Sequence, residues 1–431
     1  MMRIKGGAAS VVLGGVLALC AGVTLASPAS LAERAEQGDR AGVQALLKHH
    51  QEPVDQPGRD GMTALLFAVQ ADDLAMAKAL LKARANPDLG NRYGITPLWQ
   101  AAQNRSPEMI KLLLKSGANP KATMPSGETA LMIAGRAGDP VTIQLLLKAG
   151  ADPNASESEQ GETALMWAAG ENHPEAIRAL AKGGADLNRH SRVLNLAPMK
   201  WTQTDLVSTP LPSGGWTAAM YAARQNSADA MAALIEMRAN LNEQDADGIT
   251  ALSLAIMNQH YDLAAALLEA GADPKVADNN GADALFEAVE MVTFRVDIGR
   301  PPRPSFDKLK AIDIVRLALQ HGANPNARLS KPSFGRHHNF ADRSLGEGAT
   351  PLMKAAKASD LESMRLLLAA GADPTLSLAK GGVTVADIAA GKVANNATLV
   401  GGRAAAAKAN EAVLNLLKEY AGKPAGAGPT S

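Results

Sequence analysis

Few side chains in this sequence are spaced for covalent chemistry. His337-His338 with Asp342 could offer two imidazoles and a carboxylate to a metal ion, but adjacent histidines on a loop rarely close on one ion. No glutamate-histidine or cysteine spacing completes a coordination sphere. The pairs His49-His50 and His260-Tyr261 lie on or beside helical stretches with no carboxylate at catalytic spacing, and His173 falls in a turn. There is no GxSxG elbow, phosphate loop or dinucleotide fingerprint. Cys20 is the only cysteine, which leaves the rest of the chain without disulfides, thiolate ligands or a Cys nucleophile. The sequence thus points away from an enzyme and implies no cofactor. A metal-dependent activity on the His337/His338 loop is the alternative.

Recognition chemistry is better represented. Three stretches, Arg189 to Ser213, Thr293 to Lys310 and Arg328 to Glu347, interrupt an otherwise regular chain, and they carry 3, 5 and 4 basic residues against 1, 2 and 2 acidic ones. Their sum is +7 in a chain whose 43 basic and 43 acidic side chains balance to zero, so the remainder carries −7. Zero net charge argues against a general nucleic-acid binder, while the local asymmetry fits a basic rim facing an acidic protein surface. Solvated loops are the alternative reading of the same charges. Six of the eight Trp and Tyr residues (Tyr93, Trp99, Trp167, Trp201, Trp216 and Tyr221) fall around the first interruption. Aromatic rings beside arginine are what interface anchors look like, although they could equally be core that tethers the inserted loop. The candidate partner-binding residues are therefore Trp167, Trp201, Trp216, Tyr221, Arg192, Arg295, Arg300, Arg303 and Arg336.

What must position these residues is a repeated unit. In Gly94 to Pro120, GITPLWQAAQNRSPEMIKLLLKSGANP, the Thr-Pro pair opens a short helix with Leu98, Ala101 and Ala102 at helical spacing. A polar turn follows, then a second helix carrying Met109, Ile110, Leu112, Leu113 and Leu114, stopped at Ser116-Gly117. Helices of this length are marginal alone and their apolar residues cover more than one side, so the unit must stack on copies of itself. The copies are marked by Gly61, Gly94, Gly127, Gly161, Gly215, Gly248, Gly281, Gly348 and Gly382, which are 33 or 34 residues apart except for gaps of 54 and 67. The long gaps place the first and third insertions in hairpin loops and the second between the two helices of one unit.

The motif Gly-x-Thr-(Ala/Pro)-Leu-x-x-Ala, with the closing Leu-Leu-x-x-Gly-Ala-(Asp/Asn)-Pro at Leu146 to Pro153, Leu267 to Pro274 and Leu367 to Pro374, resembles the ankyrin repeat. The resemblance covers about Leu31 to Tyr420 and implies an all-α solenoid of stacked helix-turn-helix units with protruding hairpins, about ten units including caps. It also implies protein–protein interaction on a concave face made by the short helices and hairpin tips. One departure is consistent. Where the family usually has His after Thr-Pro-Leu, this chain has Leu66, Trp99, Met132, Met166, Met220, Ser253, Phe286 and Met353, so apolar packing replaces a polar link.

At the start, Arg3 and Lys5 precede an apolar run from Ala8 to Ala26 that ends in small residues, the pattern of a cleaved secretory signal, with cleavage after Ala26 or, second, Ala29. A membrane anchor is the alternative, but Val11 to Ala26 falls short of the roughly 20 residues a span requires. Cys20 follows a stretch resembling a lipoprotein box, from which Leu19 departs because a small residue belongs there. Residues 422–431 read as a disordered tail. The expectation is an exported, monomeric interaction scaffold, periplasmic or secreted, with no membrane span in the mature chain; delivery to a host protein as an effector is the alternative.

Overall fold

A computed structural model describes residues 29–49, 52–194, 213–292, 307–331, 345–391 and 402–420. The expected leader and tail lie outside them, as do Trp201, Arg295, Arg300, Arg303, Arg336, His337, His338 and Asp342.

The described chain is a succession of helix pairs. In order they are α1 (Leu31–Glu36) and α2 (Arg40–His49), α3 (Ala64–Gln70) and α4 (Leu74–Lys82), α5 (Pro97–Gln103) and α6 (Pro107–Lys115), α7 (Ala130–Ala137) and α8 (Pro140–Lys148), and α9 (Ala164–Gly170) and α10 (Pro174–Lys182). After the first insertion come α11 (Ala218–Gln225) and α12 (Ala228–Glu236), α13 (Ala251–Met257) and α14 (Tyr261–Glu269), α15 (Ala284–Val292) and α16 (Ala311–Gln320), α17 (Pro351–Ala358) and α18 (Leu361–Ala369), α19 (Val385–Ala389) and a closing helix α20 (Gly402–Tyr420). Each odd-numbered helix from α1 to α17 packs on the next odd-numbered one, and most even-numbered helices pack on the next in the outer row. The result is the two-layered, all-α solenoid that the repeats predict, with one continuous apolar core running from Leu31 to Leu416.

Threonine starts most inner helices, and the reason is hydrogen bonding. The hydroxyls of Thr63, Thr96, Thr129, Thr163, Thr250, Thr350 and Thr384 each accept the backbone N–H three residues on, satisfying one of the donors a helix start leaves open. The methionines that stand in the usual histidine position are fully buried (Met132, Met166, Met220, Met353), and the Met166 and Met220 sulfurs also accept the backbone N–H of their own Thr163 and Thr217 at 3.4 Å. Inner helix α15 departs from the rule, since Asp283 caps it in place of threonine. At the far end of the outer helices the chain turns through a left-handed residue. Gly117 does this at φ +93°, but Arg84 and Arg238 hold the same position at φ 67° and 66°, which costs a side chain about 1 kcal/mol.

Hairpins are tied to each other by a row of Asp and Asn side chains. Each accepts the backbone N–H of the next hairpin: Asp55 from Asn86, Asp88 from Asn119, Asn154 from Asp186, Asn188 from Asn240, Asn242 from Asp273 and Asn326 from Asp373. Lys121 and Lys275 occupy the corresponding places in two hairpins and have nothing to accept with.

Candidate functional site

The first insertion is mounted on a short antiparallel ladder, β1 (Val193–Leu194) against β2 (Ser213–Gly214), with Val193 opposite Gly214 and Leu194 opposite Ser213. Its base is fixed by the backbone of Arg192. The Arg192 N–H donates to the Gln160 carbonyl, and its own carbonyl accepts from Gly215 at 3.2 Å. A side chain at Gly214 would collide with that carbonyl, since a Cβ there falls 2.0 Å from it. The Arg192 guanidinium donates to the Ser158 carbonyl on the neighbouring hairpin tip and is exposed.

From this base a chain of polar contacts runs into the groove. The backbone N–H of Trp216 donates to Ser191 Oγ at 2.9 Å, and the Tyr221 hydroxyl lies beside Ser191 and the Glu162 carboxylate. Glu162 Oε2 also accepts the Trp167 indole N–H at 2.6 Å. Burial, followed by the hydrogen bond to Glu162, pushes the Tyr221 phenol well above its usual range, so it is a fixed hydroxyl donor at every physiological pH. Trp167 on α9 and Tyr221 on α11 hold the same place, four residues after their capping Thr163 and Thr217. They are half-buried, as is Trp216, which meets the Tyr221 ring edge-on at 5.4 Å and 71° and donates its indole N–H to Asp245 at 3.2 Å. The aromatic residues are therefore both tether and surface: their polar edges hold the insertion base while part of each ring remains accessible.

Two arginines that the sequence reading missed complete the arrangement. The Arg136 guanidinium lies 5.0 Å from the Trp167 ring centre, and that of Arg224 lies 5.0 Å from the Trp216 ring centre. Both stand seven residues after a capping threonine (Thr129 and Thr217), on α7 and α11. In the unit between them the same place is Gly170. A cavity of about 420 Å³ opens there, lined by Trp167, Tyr221, Met166, Glu162, Glu171 and Arg136 among others. Backbones under both arginines are held by histidines of the following units: His173 Nε2 bonds the Arg136 carbonyl at 3.0 Å and His260 Nε2 the Arg224 carbonyl at 3.2 Å.

The structure thus brings Trp167, Trp216, Tyr221 and Arg192 together. Trp99, in α5, is half-buried and packed on the core, and Tyr93 is 53% exposed on a hairpin tip with Arg92 over its ring. Among the described residues no group of three His, Cys, Asp or Glu side chains is placed to hold a metal ion, and no helix is long and apolar enough to cross a membrane.

Comparison with known families gives matches to Ankyrin repeats (3 copies) over residues 31–124, 117–191 and 193–278, and to Ankyrin repeat over residues 347–377. Among solved structures, the human ASB11 ankyrin repeat domain is 24% identical, with a TM-score of 0.43, covering 53% of this chain and 92% of that one. The ankyrin repeat domain of Bcl-3, a member of the IκB protein family, is 24% identical with a TM-score of 0.46, covering 60% of this chain and all of that one. No curated protein matches the sequence.

Proposed function

The chain belongs to the ankyrin-repeat family, a family of protein–protein interaction modules, and from that premise we propose that it is an exported, non-catalytic scaffold that binds a protein partner in the groove of its inner helices. The observation that carries this reading is the half-buried pair Trp167 and Tyr221 on a cavity beside the base of an inserted loop, with the Trp167 indole held by Glu162 and Trp216 held by Ser191 next to them. Pre-positioned aromatics and arginines bind with little loss of side-chain freedom, which is how interface anchors work.

On this reading Trp167, Trp216 and Tyr221 form the floor. Arg192, with Arg295, Arg300, Arg303 and Arg336 of the insertions, provides a basic rim for an acidic partner surface, and Trp201 adds an aromatic anchor. The protein acts as a monomer. It is carried out of the cytoplasm by the segment ending near Ala26 and works in the periplasm or beyond it; attachment through a lipidated Cys20 is the minor alternative.

A photo-crosslinking side chain at Gln225, exposed at the cavity, tests the site against one at Lys111, exposed on outer helix α6. A discrete protein adduct from Gln225 and none from Lys111 is expected. Equal labelling from both positions, or none from Gln225, would refute the concave site. Export is tested separately by N-terminal sequencing of the mature protein, which should begin at Ser27 or, for the second cleavage position, Ser30.

A further inference from the structure

The register of the inner helices places Arg136, Gly170 and Arg224 at one position in three successive units, a cation on each side of a missing side chain. Each guanidinium lies 5.0 Å from an indole ring centre, a cation–π distance that restrains the side chain. Among the described residues neither arginine forms an ion pair; Arg136 makes only a long bond of 3.4 Å to Gln103. Gly170 ends α9 with open space where its side chain would be, since a Cβ there meets nothing within 4 Å. The slot over it has the Met166, Trp167 and Tyr221 side chains as walls. The Glu162 carboxylate in the wall is already engaged by the Trp167 indole, so the one acidic group lining the slot from an exposed position is Glu171.

The geometry points to a specific occupant: an extended peptide segment of the partner, crossing α7, α9 and α11, with an apolar side chain in the slot over Gly170 and an acidic side chain two residues to either side of it. Arg136 and Arg224 bind the two carboxylates. Helix axes in such stacks lie about 8–10 Å apart, and Arg136 leans towards the next unit, so the two cations are separated by between one and two such steps, roughly 10–20 Å. In an extended chain, residues i, i+2 and i+4 share one face and span about 13 Å. The pattern acidic-x-apolar-x-acidic therefore matches the spacing and points all three side chains at the groove. This rests on the groove being the partner site, and adds what the partner must present there.

The probe is the fluorescein-labelled peptide Gly-Ser-Glu-Ser-Leu-Ser-Glu-Ser-Gly, titrated with the full-length mature protein at low salt and followed by fluorescence polarisation. Companion peptides carry Gln or Lys in place of both Glu, or Gly in place of Leu. Arg136→Ala and Arg224→Ala are each expected to weaken binding of the acidic peptide about tenfold, the scale of a charge-assisted hydrogen bond, with no effect on the Gln peptide. Glu171→Gln should tighten it about twofold by removing a like charge. Gly170→Leu, which the open space accommodates, should abolish the advantage of the Leu peptide over the Gly peptide while leaving circular dichroism and melting unimpaired. The inference is overturned if the Glu and Gln peptides bind alike, if the Lys peptide binds best, if neither arginine variant changes affinity beyond twofold, or if the acidic peptide shows no binding. A Gln225 crosslink obtained alongside any of these results would leave the groove as partner site and remove only the acidic pattern; absence of both removes both.

Discussion

Replacing Asp283 by threonine should stabilise the array at pH 8 far more than at pH 4. Asp283 stands where most inner helices have a capping threonine; it accepts the Phe286 N–H at 2.9 Å and is 2% exposed. Burial raises its carboxyl from an ordinary value of 3.8 to about 6, against the opposing pull of backbone N–H groups. A raised acid binds its proton more tightly in the folded state, so its favourable contribution is complete below pH 3.8 and is lost as the pH rises through 6. At about 1.4 kcal/mol per unit, the cost is roughly 0.5 kcal/mol at pH 4 and about 3 kcal/mol at pH 8. Threonine keeps the cap without the charge, so the advantage of Asp283→Thr should grow by about 2 kcal/mol between these pH values. Stacked repeats need not unfold together. Native-state hydrogen exchange of the α15 amides, compared between wild type and variant at both pH values, reports the local effect. An advantage at pH 8 within about 0.5 kcal/mol of that at pH 4 would show that the cap carries no desolvation cost.

Lys121→Asn and Lys275→Asn each supply the acceptor missing from the hairpin row, and should raise stability by about 1 kcal/mol in urea unfolding; no gain would mean that the neighbouring hairpins are not in register to use it. Arg84→Gly and Arg238→Gly relieve left-handed backbone at two turns and should each raise stability by up to about 1 kcal/mol, whereas a loss would show that the arginine stems pack usefully. Tyr221→Phe removes the hydroxyl that lies beside Ser191 and Glu162; an expected loss of about 1 kcal/mol, with a shifted Trp fluorescence spectrum, tests whether that hydroxyl helps hold the insertion base, and an unchanged melt with unchanged fluorescence would refute it.

The helix pairs were legible because each carries its own start and stop. In most units Thr-Ala-Leu or Thr-Pro-Leu opens the inner helix and a glycine ends the outer one, so the 33-residue period can be counted directly. The insertions were legible as breaks in that count. Part of the site was visible too, since Trp167 and Tyr221 share a register position. Arg136, Gly170 and Arg224 were not singled out, because the first insertion separates Arg224 from Gly170 by 54 residues and hides their equivalence. Counting seven residues from each capping threonine recovers it. Ser191 carries no sequence signal, as its role comes from accepting the Trp216 N–H, 25 residues later in the chain. Asp283 can be seen as an exception in the sequence, but its burial depends on neighbouring units and is not written locally.

The two lysines in the hairpin row also mark the two junctions where the side-chain tie is missing and the hairpin tips are joined by a backbone bond alone, Ser158 N–H to the Ser126 carbonyl and Ser330 N–H to that of Asn280. Side-chain to backbone links join hairpin to hairpin up to Asn119, again from Asn154 to Asp273, and again from Asn326 to Asp373. The junctions at Lys121 and Lys275 lack that tie. Pulled from its ends, the array should yield first at these two seams, parting into three blocks before any block comes apart. The middle block holds Trp167, Trp216, Tyr221 and the insertion base, so a partner seated there would ride on a stiff plate while the flanking arms bend around it.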